Sequence, residues 1–147
     1  ICPGVSPFCG AAAALRAEYT LPDVSQTVII TRMAGRTPVP EKESIAALAA
    51  HNATMVIFLS TGLLKELSAE LIRGGYKPDT PAAIVYKASW ADQKVCRCTV
   101  EDLAQTASDN GITKTALICV GYFLGNDYSL SKLYDKSFET EFRKAEI

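Results

Sequence analysis

The sequence predicts an α/β domain with a mixed, mainly parallel sheet and helices on both faces. Strand-length apolar runs alternate with helical stripes along the chain, as expected for strands joined by helical connections. The chain has 147 residues, 48% of them hydrophobic and 21% charged, which is enough to bury one sizeable core. Its apolar runs fall short of the roughly 20 residues that a membrane-spanning helix needs.

The first half of the chain predicts three helices and two strands. Alanine-rich sequence behind Pro7 favours a helix over 8–18, and Ile45, Leu48 and Ala49 have the spacing of a second helix. Four leucines at helical spacing, followed by two glycines, predict the third. Runs rich in apolar and β-branched residues predict the strands. The predicted order is helix 8–18, strand 27–32, helix 40–50, strand 54–59 and helix 63–74.

The second half predicts three further strands and one helix. Residues 82–86 form a continuous apolar run, whereas residues 94–100 alternate in polarity and predict a strand with one solvated face. A helix is predicted over 101–108 and the last buried strand over 116–123. After Gly125 the chain is rich in Tyr, Ser and Lys and predicts an irregular tail with short helical pieces.

Charge and cysteine content restrict the possible partners and location. A net charge of -1 leaves no surplus of basic residues, so nucleic acid is not an expected partner. The short apolar runs likewise give no reason to expect a membrane. The five cysteines are odd in number, and Cys9 and Cys119 lie in apolar stretches, which favours reduced thiols and a cytoplasmic location. Cys96 and Cys98 lack the usual spacing and partners of a zinc site, so no metal is predicted. The start at Ile1 resembles neither an initiator methionine nor a signal peptide, and we interpret it as a chain entered partway through.

The chain lacks a glycine-rich phosphate loop, a nucleophile elbow and a cysteine–histidine pair, so these patterns alone indicate only an α/β domain. Several short strings nevertheless resemble the tetrapyrrole methylases in order and spacing, and GRTPVP most specifically resembles the precorrin-4 methyltransferases. The strings are PGVS at 3–6, EYTLP at 18–22, VSQ at 24–26, TR at 31–32, GRTPVP at 35–40, MVIFLS at 55–60, VYKASW at 85–90 and SKLYD at 131–135.

The resemblance implies a fold of two α/β domains that hold a cofactor in the cleft between them, with a homodimer as the usual assembly. Residues 1–22 would be the remnant of the N-terminal domain, and residues 23–147 the C-terminal domain. The implied activity is an S-adenosyl-L-methionine-dependent C-methyltransferase of cobalamin biosynthesis, acting on the tetrapyrrole precorrin-4 or cobalt-precorrin-4 at ring carbon C11. We expect this chain to be inactive alone, because half of the cleft is missing.

Six positions match residues that contact the cofactor in the family. Three of them also have simpler interpretations: Leu59 as core packing, Ala88 as a small residue at a turn, and Gly121 as a glycine that permits a bend. Pro7 departs from the small residue that is usual there and removes a possible backbone donor. The six positions are Ser6, Pro7, Leu59, Lys87, Ala88 and Gly121.

Arg32 and Arg36 flank the proline-containing loop, and a carboxylate-rich tetrapyrrole needs charged, preferably bidentate partners. We therefore assign both arginines to substrate binding, with solvated arginines or an ion pair between domains as the alternative. Trp90 is interpreted either as a platform beside the macrocycle or as a half-buried anchor. No catalytic acid or base is assigned.

Two other functions remain open from the sequence. One is a non-catalytic binding or dimerisation domain of the same fold. The other is a sibling enzyme that methylates a different tetrapyrrole or diphthine. The shared motifs do not separate these, and only the GRTPVP string with its surroundings favours precorrin-4.

Overall fold

The computed structural model describes residues 1–129, 135–142 and 144. Within these residues, five strands form one sheet that is flanked by helices. The strands are β1 (Val28–Arg32), β2 (Thr54–Phe58), β3 (Pro81–Tyr86), β4 (Lys94–Thr99) and β5 (Ala116–Val120). The α-helices are α1 (Pro7–Leu15), α2 (Ile45–Ala49), α3 (Leu64–Gly74) and α4 (Leu103–Asp109), with short 3-10 turns at Glu41–Glu43, Thr61–Leu63 and Tyr122–Leu124.

The sheet has the strand order β1-β2-β5-β3-β4 and is mixed, as predicted. The expectation of mainly parallel strands is wrong: β1 and β2 are parallel, whereas β5 runs antiparallel to both β2 and β3, and β4 antiparallel to β3. A turn over residues 87–93 joins β3 to β4, and a connection that short requires antiparallel neighbours. The direction of β5 depends on its insertion between β2 and β3, which an apolar run does not reveal.

Helices cover both faces of the sheet, as the sequence predicts. On one face α2, α3 and α4 pack over Met55, Ile57 and Ile84 in the larger core cluster. On the other face α1 packs over Val56 and Val85 in a smaller cluster. The period of two along each strand therefore places neighbouring residues of β2 in different cores.

Residues 1–22 are packed onto the sheet through α1 and the segment behind it. Ala11 is fully buried, and the Tyr19 hydroxyl donates a hydrogen bond of 2.7 Å to the Phe8 carbonyl. The Thr54 hydroxyl donates to the Tyr19 carbonyl at 2.7 Å, which links this segment to β2. The assignment of residues 1–22 to a neighbouring domain stays a prediction, although these contacts fix where they lie on the present one.

Three predicted elements are shorter than expected for local reasons. The first helix ends at Leu15, because Arg16 adopts a left-handed backbone with φ 53° and its N–H bonds the Ala13 carbonyl. The helix predicted over 40–50 is interrupted at Ser44, which is extended and caps α2 by accepting the Ala47 N–H at 3.3 Å. The last strand stops before Gly121, whose φ is 140°.

Candidate functional site

A pocket of about 530 Å³ lies at the edge of the sheet where β2 and β3 end and β5 begins. Its walls combine the strand ends with the N-terminal turn of α1 and the turn that follows β3. The lining residues are Val5, Ser6, Pro7, Gly10, Phe58, Leu59, Thr61, Val85, Lys87, Ala88, Ser89, Trp90, Thr115, Ala116 and Leu117.

The pocket rim is built from left-handed backbone at residues other than glycine. Leu59, Lys87, Ser89 and Thr115 have φ values of 53°, 46°, 72° and 59°. Each such residue costs on the order of 1 to 2 kcal/mol, and such strain concentrates at ligand sites. The Lys87 N–H donates to the Thr115 carbonyl at 3.0 Å, so two of the four residues fix each other. The chain thus turns sharply at each strand end and presents its backbone along the rim.

The structure brings together five of the six positions that the sequence assigns to cofactor contact. Ser6 precedes α1 as its N-cap and makes no capping hydrogen bond with its side chain, while Pro7 occupies the first helical turn. The Leu59 side chain is 85% exposed, so the alternative of core packing does not describe it. Lys87 and Ala88 follow β3 directly and line the opposite wall. Their contact with a cofactor stays a prediction.

Gly121, the sixth position, does not lie at this pocket. It follows the other end of β5, roughly 17 Å from the pocket edge at about 3.3 Å per strand residue. A Cβ atom there would lie 3.4 Å from the Thr54 Cα, and the φ of 140° disfavours any side chain. Gly121 therefore lets the backbone bend close to β2, which is the simpler interpretation that its sequence context allowed.

The two predicted substrate arginines lie in different surroundings. Arg32 ends β1, and its guanidinium donates to the carbonyl oxygens of Thr37 at 3.0 Å and Pro38 at 2.9 Å. Arg32 therefore holds the proline-containing loop against the end of the strand. Arg36 lies on that loop with an exposed side chain. A substrate contact stays a prediction for both, but the present contacts make Arg32 a loop anchor.

Lys87 carries the charge at the pocket, and its surroundings stabilise that charge. Its ammonium group lies 2.5 Å from an Asp92 carboxylate oxygen and 5.0 and 5.2 Å from the ring centres of Tyr86 and Trp90. The hydrogen bond that Lys87 donates to Asp92 is the main reason that the pKa of Lys87 is raised, and the same bond lowers the pKa of Asp92. Trp90 is 62% exposed, which fits a platform better than the half-buried anchor that was the alternative.

Several lining residues were not predicted. Thr115, Ala116 and Leu117 reach the pocket because β5 begins beside the end of β3, an adjacency that requires the sheet order. Gly10 lies on the inner face of α1, where a Cβ atom would be 3.6 Å from the Ala88 Cβ. The helical pattern could have suggested Gly10, but Thr115, Ala116 and Leu117 could be placed at the pocket only once the strand order was known.

The cysteines of this chain are all free. Cys2 and Cys9 are exposed, whereas Cys96 and Cys98 are half-buried against the larger core. Burial raises the pKa of the Cys119 thiol to about 12 and that of Cys98 to about 11. Among the described residues, no three His, Cys, Asp or Glu side chains lie close enough together to hold a metal ion. None of the helices in the described ranges is long and apolar enough to cross a bilayer.

Comparison with known proteins confirms the family that the short strings suggest. The family model of the Tetrapyrrole (Corrin/Porphyrin) Methylases matches residues 1–104. The cobalt-precorrin-4 C(11)-methyltransferase of Methanocaldococcus jannaschii is 54% identical over 99% of this chain and 56% of its own length. The enzyme of the same name from Priestia megaterium is 50% identical over 98% of this chain and 57% of its own length.

The structural comparison agrees. The X-ray structure of a cobalt precorrin-4 methyltransferase, a cobalamin biosynthetic enzyme, matches with a TM-score of 0.82 and 49% identity, over 84% of this chain and 52% of that one. The chain thus spans about half the length of the relatives it matches. By its sequence and its fold, this chain belongs to the tetrapyrrole (corrin/porphyrin) methylase family.

Proposed function

We propose that this chain forms one wall of the S-adenosylmethionine site of a methyltransferase that acts on precorrin-4 or cobalt-precorrin-4 at C11 in cobalamin biosynthesis. The convergence of five expected cofactor positions on one pocket carries this proposal. The names of the two relatives favour this substrate over those of sibling methylases. Residues 1–22 would connect the wall to the domain that supplies the rest of the site.

The pocket has the chemistry that such a ligand requires. Apolar side chains of Leu59, Val85 and Leu117 suit an adenine ring and a thioether, and the hydroxyls of Ser6 and Thr115 can serve its polar ends. Gly10 and Ala88 lie beside one another in the lining and carry at most a methyl group, so no bulky side chain fills this part of the pocket.

The bound donor would supply an electrophilic methyl group for direct displacement by a ring carbon. The residues of this chain would bind and orient it rather than move protons, because Lys87 is the one ionisable side chain among the described residues of the pocket lining and is paired with Asp92. Alignment of the two reactants can account for roughly 7 to 11 kcal/mol of barrier lowering in favourable cases.

On the substrate side, Arg36 is the better candidate for binding a tetrapyrrole carboxylate. Its side chain is exposed, whereas the guanidinium of Arg32 already bonds loop carbonyl oxygens. Arg32 would act on substrate binding through the loop that it holds. A homodimer is part of the proposal because it is the usual assembly of the family.

A fusion protein tests this function. The remaining residues of the Methanocaldococcus jannaschii relative are joined to the N-terminus of this chain, and the product is supplied with S-adenosylmethionine and either cobalt-precorrin-4 or precorrin-4. We expect one of the two substrates to gain the mass of one methyl group. The relative's portion alone is the control and should give no product.

Two outcomes would contradict the proposal. Methylation of a different tetrapyrrole or of diphthine, but neither precorrin-4 species, would identify a sibling enzyme. A folded fusion protein that binds no S-adenosylhomocysteine would indicate a non-catalytic domain.

A further inference from the structure

The turn between β3 and β4, residues 87–93, supplies one wall of the pocket. Lys87, Ala88, Ser89 and Trp90 all line it, and Lys87 and Ser89 have left-handed backbone. A residue other than glycine keeps such a conformation only where the surrounding contacts enforce it. The contacts within this turn should therefore determine the shape of the wall.

Two side chains outside the pocket lining close the turn. Asp92 binds the Lys87 ammonium group at 2.5 Å. The Gln93 side-chain carbonyl accepts the Ser89 backbone N–H at 2.7 Å. Within the backbone, the Trp90 N–H donates to the Lys87 carbonyl at 3.0 Å. Besides its backbone hydrogen bonds, the turn is thus held by one charged pair and by one hydrogen bond between a side-chain amide and a peptide N–H.

The contact of Gln93 opposes a specific rearrangement. Rotation of the peptide between Ala88 and Ser89 by about half a turn changes ψ of Ala88 and φ of Ser89, and would relieve the left-handed backbone at Ser89. That rotation would move the Ser89 N–H away from the Gln93 oxygen. It would also turn the Ala88 carbonyl to the opposite side, because the planar peptide rotates as one rigid unit.

We propose that Gln93 and Asp92 are positioning residues that hold the Lys87–Ser89 segment in the conformation that forms the pocket wall. Gln93 prevents the peptide rotation, and Asp92 fixes Lys87 at the start of the turn. They thereby set the affinity of the pocket for its adenosine ligand. The identity of that ligand rests on the proposed function, whereas the conformational part does not.

Trp90 makes the test direct, because it is the single tryptophan of the chain and lines this wall. Gln93→Leu removes the acceptor at similar size, and Gln93→Glu keeps it. We expect Gln93→Leu to change acrylamide quenching of Trp90 in the ligand-free chain. In the fusion protein, we expect it to weaken S-adenosylhomocysteine binding roughly three- to tenfold. Gln93→Glu should match the wild type in both, and the urea unfolding midpoint should hardly change.

Asp92→Asn removes the ion pair, and we expect it to change Trp90 quenching in the same direction as Gln93→Leu. Ser89→Gly gives a second control, since glycine adopts the left-handed region without penalty. In the Ser89→Gly background, rotation of the peptide would relieve no backbone strain. Gln93→Leu should therefore change Trp90 quenching less than in the wild-type background.

Unchanged quenching and affinity in Gln93→Leu, or an equal loss in Gln93→Glu, would overturn the proposal. If the fusion protein binds no S-adenosylhomocysteine at millimolar concentration, the proposed function fails instead. The positioning role is then decided by Trp90 quenching in the ligand-free variants.

Discussion

At the scale of single residues, Ala88 and Gly10 lie beside one another in the pocket lining and carry at most a methyl group. A Cβ atom on Gly10 would already lie 3.6 Å from that of Ala88. We predict that Ala88→Leu in the fusion protein weakens S-adenosylhomocysteine binding by about tenfold or more, because the added carbons occupy the space that the ligand needs. Ala91→Leu, an exposed position in the same turn, is the matched control. Titration calorimetry on both variants measures the difference, and equal affinities would contradict this use of the pocket.

Replacement of Arg32 and replacement of Arg36 should have different effects on stability and ligand binding. In the fusion protein, Arg36→Ala should weaken tetrapyrrole binding by roughly 1.5 to 3 kcal/mol and leave S-adenosylhomocysteine affinity nearly unchanged. Arg32→Ala should also lower thermal stability, because the loop carbonyl oxygens of Thr37 and Pro38 lose their donor. Binding titrations with each ligand, together with melting curves, test this. An equal loss of both ligands in Arg36→Ala would indicate a structural role.

The thiols should differ in reactivity according to their burial. Only the thiolate reacts with a disulfide reagent, so the raised pKa of Cys119, about 12, keeps it inert near pH 8 as well as inaccessible. We predict that Cys2 and Cys9 are labelled within the mixing time and that Cys119 is labelled at the rate of unfolding. Mass spectrometry of digested, partly labelled protein locates the modified residues. Rapid labelling of Cys119 in folded protein would contradict the buried assignment.

At the scale of elements, the types of helix and strand could be read from periodicity more reliably than their directions. The buried run of β2 and the leucine stripe of α3 have unambiguous patterns, and both form where they are predicted. The orientation of β5 could not be predicted, because a strand buried on both faces has the same pattern in either direction. The predicted helix over 40–50 failed at Ser44, whose hydroxyl competes for the backbone and starts a new helix.

The residues of the candidate site, too, could be predicted from the sequence only in part. Resemblance identified Leu59 and Ala88, which stand at strand ends beside recognisable strings. It did not identify Thr115, whose place at the pocket follows from the insertion of β5 between two earlier strands. The left-handed backbone at Leu59 and Thr115 was also missed, because leucine and threonine carry no local signal for that conformation.

The contact between α2 and α3 gives a prediction at this scale. A Cβ atom on Gly74 would lie 2.4 Å from the Ala46 carbonyl oxygen and 2.5 Å from the Ala49 Cβ. Gly74→Ala should therefore force the helices apart and lower the free energy of unfolding by about 1 to 3 kcal/mol. Gly62→Ala is the control, since nothing lies within 4 Å of its added Cβ. Urea unfolding of both variants provides the measurement, and equal midpoints would show that the two helices tolerate the methyl group.

At the scale of the whole molecule, two closed cores lie beside a pocket with an open side. Both faces of the sheet are covered, and the strand centres at Met55, Val56 and Ile84 are fully buried. At the pocket, in contrast, Val5 and Leu59 expose 83% and 85% of their surfaces. The two hydrophobic cores are therefore closed, whereas the open side of the pocket faces water.

We accordingly predict that this chain folds cooperatively but binds S-adenosylhomocysteine far more weakly than the fusion protein, and does not methylate alone. If the open side leaves ~150 Å² of apolar ligand and wall in water, a burial free energy of about 25 cal/mol per Å² implies a loss of about 4 kcal/mol. That loss corresponds to several hundredfold in affinity. Calorimetric titration of both proteins, with a thermal melt of each, measures it. A low-micromolar dissociation constant for the chain alone would mean that Leu59 and its neighbours form a sufficient site without a second wall.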